Sequence, residues 1–172
     1  AVEDVYRFVA RELDAGRQAF FVYPMIDASE RTRNAVEMQA TLQRRFPRFV
    51  VGMVHGRMTD EETDTTMSAF LSGKIQVLVA TTVVEVGVDV PNATCMVIDH
   101  AERFGLAALH QLRGRVGRGA HQSYCFLVYD PELSETGKER LKVVFETNDG
   151  FVLAERDLDM RGPGELTGPT HV

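Results

Sequence analysis

The sequence predicts an α/β fold in which a doubly wound parallel sheet carries helices on both faces. Two observations predict it. Short runs of apolar and β-branched residues alternate along the chain with segments whose apolar residues recur at helical spacing. The short runs are almost continuously apolar, which is typical of strands buried on both faces of a parallel sheet. With 172 residues, the chain is long enough to bury one such core without disulfides or metals.

The predicted elements alternate in regular order. Apolar runs predict strands at residues 18–23, 49–54, 75–80, 94–99 and 123–129. Helical spacing predicts helices at residues 2–13, 34–46, about 60–71 and 134–147. The connection over residues 27–33 is polar and is expected to be a loop.

The start and the end of the third helix are marked in the sequence. Thr59 and Glu62 fit a capping box, in which the Thr59 side chain accepts a hydrogen bond from the Glu62 amide and Glu62 reaches back. Gly73 is expected to end this helix and Gly16 to end the first one, because glycine readily adopts the backbone conformation that follows a helix.

The character of the chain changes after Pro131. A helix over residues 134–147, a tight turn and a second helix from Phe151 to about Asp159 predict a helical hairpin. Residues 161–165 are too rich in glycine and proline to continue that helix. We therefore divide the chain into a sheet domain at residues 1–130 and a hairpin with its loop at residues 131–172.

Composition limits the classes of function. The formal net charge of −6 argues against a protein that coats nucleic acid through bulk positive charge, although arginines cluster locally. Cys95 and Cys125 lie in apolar runs and are expected to be buried free thiols, and the histidines show no metal-ligand spacing. No apolar run approaches the roughly 20 residues of a membrane span, and no signal-peptide pattern opens the chain. We therefore expect a cytoplasmic protein without a membrane partner.

The ends of the predicted strands indicate where a ligand would bind. In doubly wound sheets, ligands lie beyond the carboxyl ends of the strands. That rule selects polar or glycine-containing connections at residues 23–24, 55–57, 81–82 and 99–100. The rule locates an edge of the sheet and leaves the ligand open.

The densest chemistry lies in residues 110–118, which contain three arginines and two glycines. Arginine matches phosphate oxygens and glycine allows close backbone approach, so the run is suited to holding or polarising phosphate. A solvated basic turn is the alternative. Upstream, Asp89 could accept hydrogen bonds from a sugar hydroxyl, with Gly87 allowing close approach, or could cap the turn before Pro91. The residues alone leave both pairs of alternatives open.

Two spaced motifs resemble those of a known superfamily. Residues 79–91 and 110–118 resemble the fifth and sixth motifs of superfamily 2 helicases and translocases, the sixth being Gln-x-x-Gly-Arg-x-Gly-Arg. The resemblance implies a RecA-like domain. It also implies that Arg115 and Arg118 reach across an interdomain cleft to the γ-phosphate of ATP, where they offset charge that develops in phosphoryl transfer.

The same resemblance implies further contacts on both sides of the domain. Gln111 would help to line the cleft, and Gly87 and Asp89 would lie near the nucleotide. The remaining matched residues would lie on the nucleic-acid side, with the threonines touching the backbone; they are His55, Gly56, Arg57, Thr81 and Thr82.

Further stretches narrow the resemblance to the RecG-type branch-migration helicases, at residues 101–112, 147–151 and 161–165. The transcription-repair coupling factors are the close alternative, with Gly-Ala-Gly in place of the Gly-Pro-Gly here. In both families the hairpin after the sixth motif couples ATP hydrolysis to movement on duplex DNA. The resemblance therefore implies that Arg161, Gly162 and Glu165 belong to the coupling device.

Half of an ATP site is missing from the sequence. Neither a Gly-x-x-x-x-Gly-Lys-Ser/Thr loop nor an Asp-Glu-x-His box occurs. The resemblance assigns ATP and Mg²⁺ mainly to those elements, on a first RecA-like domain of the same protein. We therefore expect this chain to be the second motor domain of a larger ATP-dependent helicase that remodels branched duplex DNA. By itself the chain is expected to be inactive.

Two other classes of function compete with the helicase interpretation. One is a non-catalytic module that holds nucleic acid through its local arginines. The other is a small-molecule enzyme of doubly wound fold, which is disfavoured because no glycine-rich phosphate loop follows the first strand.

Overall fold

The computed structural model describes residues 2–24, 28–81, 90–114, 122–147 and 151–156. The strands are β1 (Gln18–Val22), β2 (Val51–Val54), β3 (Val77–Ala80), β4 (Ala93–Ile98), β5 (Tyr124–Tyr129) and β6 (Phe151–Glu155). Within the described residues they form one six-stranded sheet in the order β2-β3-β1-β4-β5-β6, and every neighbouring pair is parallel. The helices are α1 (Val2–Asp14), α2 (Ala28–Arg45), α3 (Asp60–Leu71), α4 (Leu106–Arg113) and α5 (Glu135–Thr147), with a short 3-10 helix at Ala101–Arg103. The predicted doubly wound α/β fold is confirmed.

The sheet separates two hydrophobic cores, because successive side chains of a strand point to opposite faces. On β1, Phe20 and Val22 pack with α3, α4 and α5, whereas Ala19 and Phe21 pack with α1 and α2. Phe20 meets Phe70 of α3 edge to face, with 4.9 Å between ring centroids. The result is three layers, with the carboxyl ends of the parallel strands at one edge of the middle layer.

The local signals at the helix ends are confirmed. The Glu62 amide donates to Thr59 Oγ1 at 3.0 Å, and the Thr59 amide donates to Glu62 Oε1 at 2.8 Å, which completes the capping box. Gly16 and Gly73 follow α1 and α3 with φ angles of 92° and 86°. At such angles a side chain would clash with the backbone, so glycine is the residue that fits.

The predicted second helix of the hairpin is wrong. Residues 151–155 form β6, which pairs with β5 from Phe151 opposite Cys125 to Glu155 opposite Tyr129. A short apolar run is compatible with either a helix or a strand. Here the run forms a strand, because it can pair with the side of β5 that β4 does not occupy. The first helix of the predicted hairpin is α5, but it leads back to the sheet.

β6 extends the sheet past the predicted domain boundary at residue 130. The expected turn at residues 148–150 and the loop after residue 156 lie outside the described residues. The assignment of residues 131–172 as a separate translocation element stays a prediction.

Two further segments differ from the sequence prediction. α2 begins at Ala28, so most of the expected loop at residues 27–33 is helical, because polarity alone does not end a helix that contains good helix formers. The prediction also missed α4 and the 3-10 helix before it. In α4 only Leu109 and Leu112 are buried, which is too narrow an apolar stripe to mark a helix of eight residues.

Candidate functional site

The predicted functional edge is built by hydrogen bonds that continue the sheet by one residue. The residue after each of four strands donates its amide to the last carbonyl of a neighbouring strand, over 2.8–3.3 Å; these residues are Tyr23, Thr81, Asp99 and Arg156. Their backbone positions are therefore fixed by the ladder. Polar side chains from β1, β3, β4 and β6 are thereby held at one level of the edge.

The loop after β2 presents an exposed cation at the same edge. His55 is half-buried, whereas Gly56 and Arg57 are exposed. The Arg57 amide donates to His55 Nδ1 at 3.2 Å, and the Met58 amide donates to the His55 carbonyl at 3.2 Å. The loop is thus closed by its own hydrogen bonds, and the Arg57 guanidinium is left accessible to an anion in solution.

Thr81 lies at the end of β3 with 2% of its surface exposed. Its hydroxyl is buried and has no hydrogen-bond partner within the described part of the chain. An unpaired buried hydroxyl costs roughly 1–3 kcal/mol, so such a group is unusual in a core. The neighbouring Thr82 lies outside the described residues.

A cleft of about 280 Å³ opens between the ends of β1 and β4. The chain leaves β1 toward the β3 side of the sheet and leaves β4 toward the β5 side, so these neighbouring strands form the topological switch point. Doubly wound folds place ligands in this crevice. The cleft is lined by Tyr23, Pro24, Glu37, Met38, Thr41, Asp99, His100 and Arg156.

An ion pair between Arg156 and Asp99 closes one wall of this cleft. The same Asp99 carboxylate oxygen accepts a hydrogen bond from the His100 amide at 2.9 Å. His100 has a φ of 48°, and among the described residues it is the one non-glycine residue in the left-handed region. Because that conformation is strained for a side-chain-bearing residue, the Asp99 contact helps to hold the turn that leads into the 3-10 helix.

Two ionisable groups near the cleft have shifted pKa values. Burial raises the pKa of the Tyr23 phenol well above its ordinary value, and the positive charge of Arg156 only partly opposes this rise. Burial also opposes ionisation of Glu102, but its contacts with His100 and with its own backbone outweigh burial, so its pKa falls below the usual range. Tyr23 is therefore neutral and Glu102 charged at neutral pH.

α4 carries the beginning of the arginine-rich motif. Gln111 is exposed, while Leu109 and Leu112 bury the opposite side of the helix. The ring of His110 lies 6.2 Å from the ring of Phe151 at the start of β6, in an edge-to-face arrangement. The other predicted residues lie outside the described ranges: Gly87, Asp89, Arg115, Arg118, Arg161, Gly162 and Glu165.

Arg156 was missed by the sequence prediction. The prediction placed it inside a helix, so the rule about strand ends did not apply to it. Had residues 151–155 been assigned as a strand, the same rule would have selected Arg156 together with Asp99.

Other candidate chemistry is limited. In the described ranges no cluster of three or more histidine, cysteine or acidic residues could hold a metal ion. Cys95 and Cys125 are buried free thiols, as predicted. Among the described helices, none is long and apolar enough to cross a membrane.

Comparison with known proteins gives a family and close relatives. Residues 2–120 match the model of the helicase conserved C-terminal domain. The chain is 55% identical over 166 residues to ATP-dependent DNA helicase RecG of Treponema pallidum and 51% identical over 170 residues to that of Bacillus subtilis. The alignments cover 95% and 97% of this chain but 24% and 25% of the two relatives, so the chain spans about a quarter of their length.

Solved structures give the same fold. A structure of RecG bound to a three-way DNA junction superposes with a TM-score of 0.73 and 49% identity, covering 87% of this chain and 19% of that one. S. cerevisiae Dbp5 bound to RNA and ADP BeF3 superposes with a TM-score of 0.60 over 94% of this chain and 41% of its own. At 17% identity, Dbp5 shows likeness of fold alone. The predicted RecA-like fold is confirmed.

Proposed function

Because the chain belongs to the family of helicase conserved C-terminal domains, we propose that it is the second motor domain of a RecG-type ATP-dependent DNA helicase. The observation that carries the proposal is identity of 51% and 55% to RecG proteins over nearly the whole chain. The full protein would hydrolyse ATP to move along duplex DNA and remodel branched DNA such as stalled forks and Holliday junctions. A cytoplasmic location belongs to the same proposal.

The nucleotide contacts that we assign to this domain add to those that another domain of the protein would make. Gln111 is exposed on α4, as a residue that lines a cleft between domains needs to be. The sequence contains no glycine-rich phosphate loop, so ATP and Mg²⁺ would be held mainly by the first RecA-like domain of the same protein. Gly87 and Asp89 would lie near the nucleotide. Arg115 and Arg118 would act as arginine fingers, offsetting negative charge that develops as the phosphoryl group supplied by ATP is transferred.

The nucleic-acid contacts that we assign lie at the functional edge. His55, Gly56 and Arg57 follow β2, and Thr81 and Thr82 follow β3, which is the neighbour of β2 in the sheet. Phosphate groups of a DNA backbone are acceptors for hydroxyls and partners for guanidinium groups. The exposed Arg57 side chain supports this assignment.

The coupling role that we assign to Arg161, Gly162 and Glu165 rests on the resemblance to RecG-type helicases. These residues follow β6 in the sequence, with residues 156–160 in between. They would convert a change of angle between the two motor domains into a step along duplex DNA.

Substitution of an arginine finger tests the proposal. In the full protein, Arg118→Ala should lower kcat for DNA-stimulated ATP hydrolysis by about a thousandfold or more, because it removes charge stabilisation made in the transition state. The affinity for ATP should change far less. Steady-state ATPase kinetics and nucleotide titration measure the two quantities.

A matched control and a second arm make the experiment decisive. Arg44→Ala removes an exposed arginine from the end of α2 and should leave ATP hydrolysis unchanged. The isolated chain should hydrolyse ATP negligibly and regain turnover when a purified first motor domain is added. Robust hydrolysis by the chain alone, or an Arg118→Ala protein as active as the Arg44→Ala protein, would contradict the division of the ATP site between two domains.

A further inference from the structure

β6 contacts α4 at its start and the first residue after β4 just past its end. At its start, the Phe151 ring meets the His110 ring of α4. Just past its end, the Arg156 guanidinium pairs with the carboxylate of Asp99, the first residue after β4. β5 lies between β4 and β6 in the sheet, so the ion pair bridges across the end of an intervening strand.

The Asp99 side of this ion pair is fixed by several contacts. Its amide donates to the Val22 carbonyl of β1 at 2.8 Å, and its side chain accepts from the His100 amide at 2.9 Å. Only 12% of the Asp99 side chain is exposed. The carboxylate that binds Arg156 is therefore the one that holds the left-handed turn at His100, from which the chain enters the 3-10 helix and α4.

The Arg156 side is fixed as well. Its amide donates to the Tyr129 carbonyl of β5 at 2.8 Å, and 25% of its side chain is exposed. The exposed pair of Arg48 with Asp14 differs sharply, with 74% and 50% of those side chains exposed. Shielding from solvent strengthens the Arg156 pair relative to such surface pairs.

In the sequence, each residue of this ion pair precedes one of two functional segments of the proposed motor domain, the arginine fingers and the coupling segment. Asp99 precedes α4, which leads to the predicted fingers Arg115 and Arg118. Arg156 precedes the predicted coupling residue Arg161 by five positions. Since five extended residues reach at most about 18 Å, the anchoring of Arg156 limits how far the start of the coupling segment can move relative to the sheet.

The geometry points to Arg156 and Asp99 as positioning residues that join the coupling segment to the turn leading into the arginine-finger helix. This inference rests on the proposed function. A shift of α4 would be transmitted through the Asp99 turn to Arg156, and from there to the segment that begins at residue 157. Loss of the pair would let the fingers and the coupling segment move independently, so ATP would be hydrolysed without a matching step.

The test measures coupling in the full protein. ATP hydrolysis and unwinding of a synthetic three-way DNA junction are followed in the same reaction, and their ratio gives ATP consumed per junction. Arg156→Gln should raise that ratio on the order of tenfold. Asp99→Asn, whose amide oxygen still accepts from His100, should raise it similarly, and Arg156→Lys, which keeps the charge, should fall between Arg156→Gln and wild type. The ratio for the double variant should not exceed that of either single variant, because all three variants lose the same interaction.

Controls separate positioning from general damage. Arg48→Gln breaks the exposed pair with Asp14 by the same chemical change and should leave the ratio unchanged. A ratio at the wild-type value in Arg156→Gln, or effects that multiply in the double variant, would overturn the inference while leaving the proposed function intact. If thermal unfolding shows that the Arg156→Gln protein does not fold, the Asp99→Asn protein alone decides the question by the same criterion. A wild-type protein without ATP-dependent unwinding of any branched DNA would reject the proposed function and this inference with it.

Discussion

At the scale of single residues, the two thiols are the groups whose chemistry the fold changes most clearly. Burial raises the pKa of Cys95 from 9.0 to about 12, helped by the negative charge of Glu12, and burial likewise raises the pKa of Cys125 to about 12. Folding thus keeps both thiols protonated. As pH rises above about 9, the unfolded chain releases protons that the native chain retains, so the free energy of unfolding falls. At pH 10.5 the loss should be on the order of 2 kcal/mol per thiol.

Urea denaturation at pH 8 and at pH 10.5 measures this loss. Because tyrosines and lysines also titrate in this range, the informative comparison is with the Cys95→Ala/Cys125→Ala protein, whose stability should fall less between the two pH values. Equal losses in both proteins would contradict the assigned pKa values. In the native protein at pH 8, both thiols should also resist alkylation by iodoacetamide.

At the scale of elements, α3 depends on its first turn, because its apolar stripe is short. Thr59→Ala removes the side-chain acceptor for the Glu62 amide, while the backbone amide of residue 59 can still donate to Glu62 Oε1. The free energy of unfolding should fall by about 1 kcal/mol. Thr65→Ala makes the same chemical change at an exposed position inside α3 and should be neutral or slightly stabilising, since alanine is the better helix former. Thermal or urea unfolding compares the two; a loss as large at Thr65 as at Thr59 would rule out the cap as the cause.

Elements were predictable where the sequence carries a local cause. The strands around Phe20, Leu78 and Met96 have continuous apolar runs, and α3 has both a cap and a terminating glycine. β6 had no such local signal, because its run of four apolar residues does not distinguish a strand from a buried helix. What makes it a strand is the unpaired side of β5, which is a property of the assembled sheet. For the same reason, the ion pair of Arg156 with Asp99 could not be predicted: its partners lie far apart in the chain and meet only when β6 joins the sheet.

At the scale of the whole molecule, the net charge of −6 means that the DNA contacts that we propose would be few and local. Each phosphate contact contributes about −0.9 to the slope of log K against log salt concentration. Arg57→Gln should therefore weaken duplex binding by the purified chain and make this slope shallower by about 1. Arg7→Gln removes an equal charge from α1, where Arg7 pairs with Asp4, and should leave the slope unchanged. Fluorescence anisotropy over a range of salt concentrations gives the slope for each variant. Equal slopes for the Arg57→Gln and Arg7→Gln proteins would contradict a contact between Arg57 and DNA.

The position of the functional edge was predictable from topology, whereas the state of its side chains was not. The carboxyl-end rule selected residues 23–24, 55–57, 81 and 99–100 correctly as members of one edge, because parallel strands all end on the same side. Thr82 lies outside the described residues. The Thr81 hydroxyl is buried without a partner among the described residues, and His100 has a left-handed backbone. Both features depend on packing, which spacing in the sequence does not record.

The central place of β1 in the sheet has a consequence for how the protein is made. β1 is the second element of the chain, yet its two neighbours are β3 and β4. At about 5–20 residues per second, a ribosome needs roughly 4–15 s to extend the chain from residue 22 to residue 98. Before β3 is complete at residue 80, the segment with the buried aromatic residues Phe20 and Phe21 has no strand to pair with on either side, and until residue 98 it still lacks β4. Sheets joined by such long-range pairing fold slowly, so the nascent chain carries an exposed, aggregation-prone segment for seconds before its core can close.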